Sequence, residues 1–459
     1  IQGKGKITYT IRNHFMCSHK YLPHTESDLK EMLSVAGVHS LDDLYSDVPE
    51  TLRLKREYDI PKGESEEGIR KEFNAMSSRN KQLVCFGGAG VYDHYVPAVA
   101  DYIASRSEFL TSYTPYQAEI SQGTLQYIFE YQSMMAELMG MDISNASLYD
   151  GATATAEAAM MAIAITKKKT RVLLSSTLNP QVIRVIETYA KFRGISLTYV
   201  PEKNGVTDLD SLKKELTKGD VAGVIVPLPN YYGIVEDYTG LADEVHAAKA
   251  VLIMECVPAD LALLKTPGEW GADIAVGSGQ SLGLPMQYGG ANVGFLCTRE
   301  VFLRKMPGRI VGATVDAEGK RAFCLTMQTR EQHIRREKAT SNICSNEGLQ
   351  TLYVAIYLSI MGKRGLHEAA IKSYSGAHYL YEELLKTEKF EKVYDAPFFN
   401  EFCLDAKINP SVWENVCEDA GIMGGIRIKN TNRILFAVTE LRSREEMDTL
   451  VALAKKCEI

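Results

Sequence analysis

Hydrophobic and polar positions change rhythm along the chain near residue 147. Before it, apolar residues recur at helical spacing. In the segment 123–140, Leu125, Ile128, Phe129, Met135, Leu138 and Met139 share one face, and Gly140 stands where the helix should stop. The methionines there read as core packing. Upstream, residues 20–75 read as short helices and turns. Thr25 or Ser27 supplies an N-cap, an acidic first turn follows, and Gly37 marks a stop. Residues 1–75 are therefore expected to form an N-terminal extension and helical arm. From about 147 to 300, short and nearly continuous apolar runs predict strands at 171–175, 197–200, 222–227, 251–255, 273–276 and 293–297. Amphipathic segments at 179–194, 208–219 and 240–250 lie between them. Apolar strands separated by helices predict a mainly parallel sheet covered on both faces. After about 345 the pattern changes again. Two long helices, 348–363 and 366–387, precede short strands, a helix near 410–420, the strand "RILFAVT" and a final helix. That order predicts a large α/β domain over 76–345 and a smaller α+β domain over 346–459. No internal repeat and no low-complexity segment is evident.

Composition narrows the class. With 45% apolar and 24% charged residues among 459, the chain is globular with a sizeable core. Its 51 Lys and Arg against 58 Asp and Glu give a net charge of −7, so no general attraction to nucleic acid or to an anionic membrane is expected. No apolar run approaches the roughly 18–20 residues that span a bilayer. Lys4, Lys6, Arg12 and His14 interrupt any leader-like stretch, and a cytoplasmic location is expected. The first fifteen residues differ in texture from the rest and read as an extension ahead of a start at Met16. Nine scattered cysteines, none in a CxxC, read as buried thiols rather than disulfides or a zinc site.

An open parallel sheet binds ligands beyond the carboxyl ends of its strands. Three segments are candidates for that edge. In "SLYDGATATAEAAMMA", Asp150, Gly151, Thr153 and Thr155 open an Ala-rich helix; its N-terminus suits a phosphate, and a merely capped helix explains it equally. The run "GSGQSLGLPMQYGG" has too many turn residues for a helix and is a weak dinucleotide fingerprint, better read as a bend with close backbone approach. The third comprises "CFGGAGVYDHYVP" and "EFLTSYTPYQAEISQG", loops dense in aromatic and polar side chains: His94, Tyr95, Tyr113, Tyr116, Glu119 and Gln122. They read as a site lining or as a buried contact. Metal is poorly supported, because His94 has no second ligand at helical spacing.

Taken in order, "YTPYQAEISQG", "ASLYDGATATAEA", "LPNYYGIVED", "GADIAVGSGQSLGLPMQYGGANVGF" and "TREQHIRREKATSNIC" closely resemble the glycine cleavage system P-protein family. "YLPHTESDLKEML" near the start and "FFNEFCL", "GIMGG" and "AVTE" near the end extend the match over essentially the whole chain. The length and motifs are those of subunit 1 of the split, two-subunit form. Two short stretches depart from the family pattern, "GGANVGF" and the "VPA" that follows Glu255.

The resemblance implies a fold-type-I PLP-dependent transferase architecture, in agreement with the strand–helix alternation. Enzymes of that fold hold pyridoxal phosphate as a Schiff base on a lysine shortly after a strand like 273–276. Here the corresponding residues are Gly279-Gln280-Ser281, and an amide cannot form an imine. Glu255 and Asp260 are the acidic residues available for the cofactor's pyridine nitrogen, and neither matches securely. By resemblance, the lysine and the pyridoxal phosphate belong to subunit 2. The pair would decarboxylate glycine and pass the aminomethyl group to the lipoyl arm of the H-protein. The resemblance makes this chain a required part of the assembly, inactive alone. Its loop residues His94, Tyr95, Tyr113, Tyr116, Glu119 and Gln122 would line the opening toward subunit 2, and 150–155 would be a vestigial phosphate cradle. Two other readings compete. One is a self-sufficient PLP enzyme of aminotransferase or desulfurase type using Lys265 or Lys305. The other is a non-catalytic scaffold.

Overall fold

The computed structural model describes residues 21, 23–56, 58–61, 63–328, 332–339 and 341–458. The first twenty residues, with Met16 and the extension read ahead of it, lie outside the described residues. The chain divides into two units, 1–80 and 81–459.

The first unit is built from short helices. Helix α1 (Glu26–Ala36) starts at a capping box in which Thr25 and Asp28 satisfy each other's backbone N–H groups. It ends at Gly37, whose φ of 72° a side chain would strain. Helix α2 (Glu66–Ser77) is capped by Ser65. Neither helix buries a residue.

The second unit opens with strand β1 (Val84–Cys85) and helix α3 (Gln122–Met139), which terminates at Gly140. Then follow β2 (Ile143–Ser144), the Ala-rich α4 (Gly151–Thr166), β3 (Arg171–Ser175), α5 (Pro180–Arg193), β4 (Ser196–Val200), β5 (Val221–Leu228), β6 (Val251–Cys256), β7 (Ile274–Ser278) and β8 (Gly294–Thr298). Strands β3 to β8 occupy the six positions that the apolar runs predict. They form one seven-stranded sheet in the order β2-β8-β7-β6-β5-β3-β4. All pairs from β7 to β4 are parallel, while β8 runs antiparallel to β7 and β2. The strand period of two sorts the side chains between two cores. Val172, Leu174 and Ile225 join α4 and α5 on one face, while Leu173, Val224 and Val226 join α3 on the other. Each such fully buried side chain contributes about 1.5–3 kcal/mol.

A half-exposed hairpin, β9 (Ile310–Val315) and β10 (Arg321–Thr326), follows the sheet. Its mixed residues had no strand signal in the sequence. Helix α6 (Gly348–Lys386) is interrupted at Gly362 (φ 55°, ψ −174°), close to the predicted gap between two helices. Val354 and Tyr357 pack in the large-sheet core, whereas Ala377 and Leu384 pack in a second core. That core packs on the last five strands, β11 (Phe390–Lys392), β12 (Glu401–Ala406), β13 (Ile422–Met423), β14 (Ile426–Arg427) and β15 (Arg433–Ala437). Four of these form an antiparallel sheet in the order β11-β12-β15-β14, and β13 pairs instead in parallel with β1. Phe86 is buried in the same core, and its carbonyl accepts from Ala437 N–H at 2.8 Å. The loop after β1 is thereby fixed between the C-terminal sheet and the carboxyl edge of the large sheet.

Candidate functional site

At the carboxyl edge of β7 the chain turns sharply, and Gln280 points inward, 3% exposed. Its amide is fully used. Oε1 accepts from Tyr92 N–H at 2.9 Å, and Nε2 donates to the carbonyls of Tyr92 (2.8 Å) and Leu284 (2.9 Å). A primary amide matches a backbone amide in both directions, so this side chain splices the loop after β1 onto the end of β7. A lysine has no acceptor with which to do the same.

Beside the splice lies a buried acidic group. Glu401, at the start of β12, accepts from Ala89 N–H at 2.6 Å and from Tyr92 O–H at 2.9 Å. Burial pushes its carboxyl up to about 7, against the pull of those two bonds. Asp260, on the turn after β6, is 2% exposed, and its Oδ2 has no partner among the described residues. Burial, then the charge of Glu401, raises its carboxyl well above the usual range. Burial alone lifts Glu255 on β6 to about 7. The Tyr92 hydroxyl is raised by burial and then by Glu401 and Asp260. Gly88 is required here: a Cβ would collide with Glu401 Oε1 and with Ala437.

The same loop carries two residues expected at the site. His94 Nδ1 pairs with Glu440 Oε2 at 2.8 Å, and Tyr95 N–H donates to Glu440 Oε1 at 2.8 Å. Burial would raise Glu440, but His94 and the Tyr95 N–H outweigh it and lower the carboxyl. His94 Nε2 is buried with no partner among the described residues. Arg442 pairs with Asp93 at 3.2 Å, and the Thr439 hydroxyl donates to the Asp93 carbonyl.

The remaining candidates have other contacts. Gln122 exchanges hydrogen bonds with the Phe323 backbone of β10, at 2.9 Å each way. The Tyr116 hydroxyl accepts from Arg309 Nη2 at 3.0 Å, and its ring lies under that guanidinium. Glu119 is exposed, and Tyr113 is 88% exposed. At α4, Asp150 accepts from Thr153 N–H at 2.8 Å, and the Thr153 hydroxyl lies 3.2 Å from the Asp150 N–H. The Thr155 hydroxyl donates to the Gly151 carbonyl at 2.8 Å. A Cβ on Gly151 would sit 2.6 Å from the backbone N of Ser278, so the helix start is packed on the end of β7.

These residues do not fit a covalently held pyridoxal phosphate. Gln280 has no amine and no unused amide group. The α4 N-terminus is already capped by a carboxylate, and Glu347, raised by burial and by the Asp150 charge, adds a second acid nearby. The two alternative lysines lie elsewhere: Lys265 sits over the Trp270 ring at 3.9 Å, and Lys305 lines a cavity at the opposite edge of the sheet. Among the described residues, no three or more His, Cys, Asp or Glu are grouped to hold a metal ion, and no helix is long and apolar enough to cross a membrane. Sequence reasoning missed Tyr92, Glu401 and Glu440 as site residues. Two of them lay inside the quoted motifs "FFNEFCL" and "AVTE", which were read for resemblance and not for chemistry.

The geometry agrees with what the chain is similar to. A family model for the glycine cleavage system P-protein matches residues 19–454. A Moorella thermoacetica protein named "Probable glycine dehydrogenase (decarboxylating) subunit 1" is 47% identical over 437 residues, covering 94% of this chain and 98% of the relative. A solved glycine decarboxylase (P-protein) of the glycine cleavage system, in inhibitor-bound form, superposes with a TM-score of 0.89 at 41% identity. It covers 95% of this chain and 100% of its own. Lactobacillus brevis glutamate decarboxylase, at 13% identity and a TM-score of 0.65, covers 90% of this chain and 98% of its own and shares the fold alone. The architecture is that of the fold-type-I PLP-dependent enzymes, and the chain belongs to the glycine cleavage system P-protein family.

Proposed function

We propose that this chain is the subunit of a two-subunit glycine decarboxylase that does not carry the cofactor. With a second subunit it would decarboxylate glycine and pass the aminomethyl group to the lipoyl arm of the H-protein. Pyridoxal phosphate, held on the second subunit, supplies the electron sink for the decarboxylation. The observation that carries this reading is Gln280, whose amide is consumed in splicing the Tyr92 loop to β7. The contribution of this chain is positional. Gln280, Glu401 and Glu440 fix the loop 86–95, which keeps Tyr95 at the surface, 53% exposed, as part of a wall facing the partner. A rigid wall of this kind orients a bound substrate and excludes water. The loop around Tyr113 and Tyr116 is the second proposed face toward the partner.

The test is reconstitution. Each subunit, separately and together, is assayed for exchange of the glycine carboxyl with labelled bicarbonate, and each is treated with pyridoxal phosphate and borohydride before intact-mass measurement. Exchange is expected only from the mixture, with the reduced adduct on the second subunit. Exchange by this chain alone, with a stoichiometric adduct on one of its lysines, would sink the proposal.

A further inference from the structure

The amino-terminal edge of the large sheet, opposite the candidate site, carries a basic cavity of about 470 Å³. It lies between the C-terminal half of α4, the starts of β3 and β4, the turn after β8 and the segment 335–339. Five cations line it, Arg193, Arg304, Lys305, Arg335 and Lys338, and no carboxylate does. Of these, the side chains of Arg193, Arg304, Lys305 and Lys338 form no ion pair or hydrogen bond among the described residues. The acid that feels the Arg193 charge, Glu157, is buried and pushed up to about 7. On a chain of net charge −7, converging five positive charges from three separate segments is an exception.

Helix geometry explains only part of it. Cations favour helix C-termini, and Arg193 closes α5. Each helix end offers roughly half a negative charge. Two such ends leave most of the positive charge unbalanced, and Arg304, Lys305, Arg335 and Lys338 do not belong to those helices. The walls are not uniformly polar: Met160, Ile163 and Ile195 line the cavity as well. A cationic rim over apolar residues, in a cavity of ligand size, suits a small molecule with clustered phosphates and an apolar ring.

We propose that this cavity is a binding site for a small phosphorylated anion of the nucleoside-diphosphate type, separate from the glycine-processing edge. Arg304 and Lys338, from opposite sides, would clasp the phosphates, and Met160 and Ile195 would contact the ring. No covalent step is involved.

The experiment is calorimetric titration of the full chain at low and moderate salt with ADP, inorganic pyrophosphate and adenosine. ADP is expected to bind at micromolar to millimolar concentration, adenosine not at all, and added salt to weaken the binding. Pyrophosphate binding more weakly than ADP assigns the site to an organic phosphate; equal binding assigns it to free polyphosphate and supports the anion site without the ring contact. The double variant Arg304→Ala/Lys338→Ala, with both side chains exposed, should keep the parent melting temperature and lose about tenfold or more in affinity, as expected for two charge-assisted contacts. Failure of ADP and pyrophosphate to bind, or unchanged affinity in a folded double variant, overturns the proposal.

Discussion

Replacing Gln280 tests the splice on which the functional reading rests. Methionine matches glutamine in length and removes the amide. The substitution deletes three hydrogen bonds, at 2.9, 2.8 and 2.9 Å, from a residue that is 3% exposed. It also leaves Tyr92 N–H buried without an acceptor. At about 1 kcal/mol net per bond, with an added penalty for the orphaned N–H, Gln280→Met should cost about 2–4 kcal/mol. Gln280→Lys should cost about as much. Its ammonium can donate to the two carbonyls, but it offers Tyr92 N–H nothing and must itself be desolvated. Neither variant regains a phosphate site, because Asp150 still caps α4. The assay is urea unfolding of the full chain, with amide hydrogen exchange read at Tyr92. Both variants should unfold at lower urea, with faster exchange at Tyr92 than at the centre of β5. Wild-type midpoints together with unchanged Tyr92 exchange would refute the splice. Gln280→Lys forming a stoichiometric, active cofactor adduct without the second subunit would refute the claim that the remaining site does not fit the cofactor.

Glu401→Gln should change how stability depends on pH. The folded carboxyl is raised from 4.5 to about 7, so the folded state holds its proton more tightly than the unfolded chain. The stability gained is full below pH 4.5 and is lost as pH rises to 7, a loss of about 3 kcal/mol at 1.36 kcal/mol per unit. Gln removes that contribution to the slope and leaves the fall from Asp260 and Glu255, raised in the same direction; identical urea midpoints against pH for parent and variant would count against it. The two loop tyrosines should separate. Tyr116→Phe takes an acceptor from the buried Arg309 and should cost about 1–3 kcal/mol in urea unfolding. Tyr113→Phe and Glu119→Gln, both at exposed positions, should stay within about 0.5 kcal/mol. In the reconstituted decarboxylase, a rate defect in either exposed variant with assembly intact by size exclusion would support a site role; normal rates in both would leave this loop outside the chemistry.

The central strands of the large sheet were legible in the sequence because both their faces are buried. A strand such as β5, buried at all eight positions, leaves a continuous apolar run that needs no partner to be recognised. The caps at Thr25, Gly37, Gly140 and Asp150 were legible because capping is local chemistry within a few residues. The inward turn that carries Gln280 was legible as a bend with close backbone approach. The partners of its amide were not. Gln280 and Tyr92 are 188 residues apart, and Tyr92 and Glu401 are 309 apart, so no local pattern marks them as partners. Density of polar and aromatic side chains drew attention equally to His94 and to Gln122. Folding gave the first a carboxylate on the turn after β15 and the second a backbone strand. Composition registers that a buried polar group needs a partner, not what the partner is. The hairpin β9–β10 escaped for the opposite reason, since half-exposed strands carry little apolar signal. The basic cavity was decided by tertiary structure alone: its five cations are spread from Arg193 to Lys338 in a chain whose net charge is negative, and only the packing of α4, α5 and two connecting segments brings them around one space.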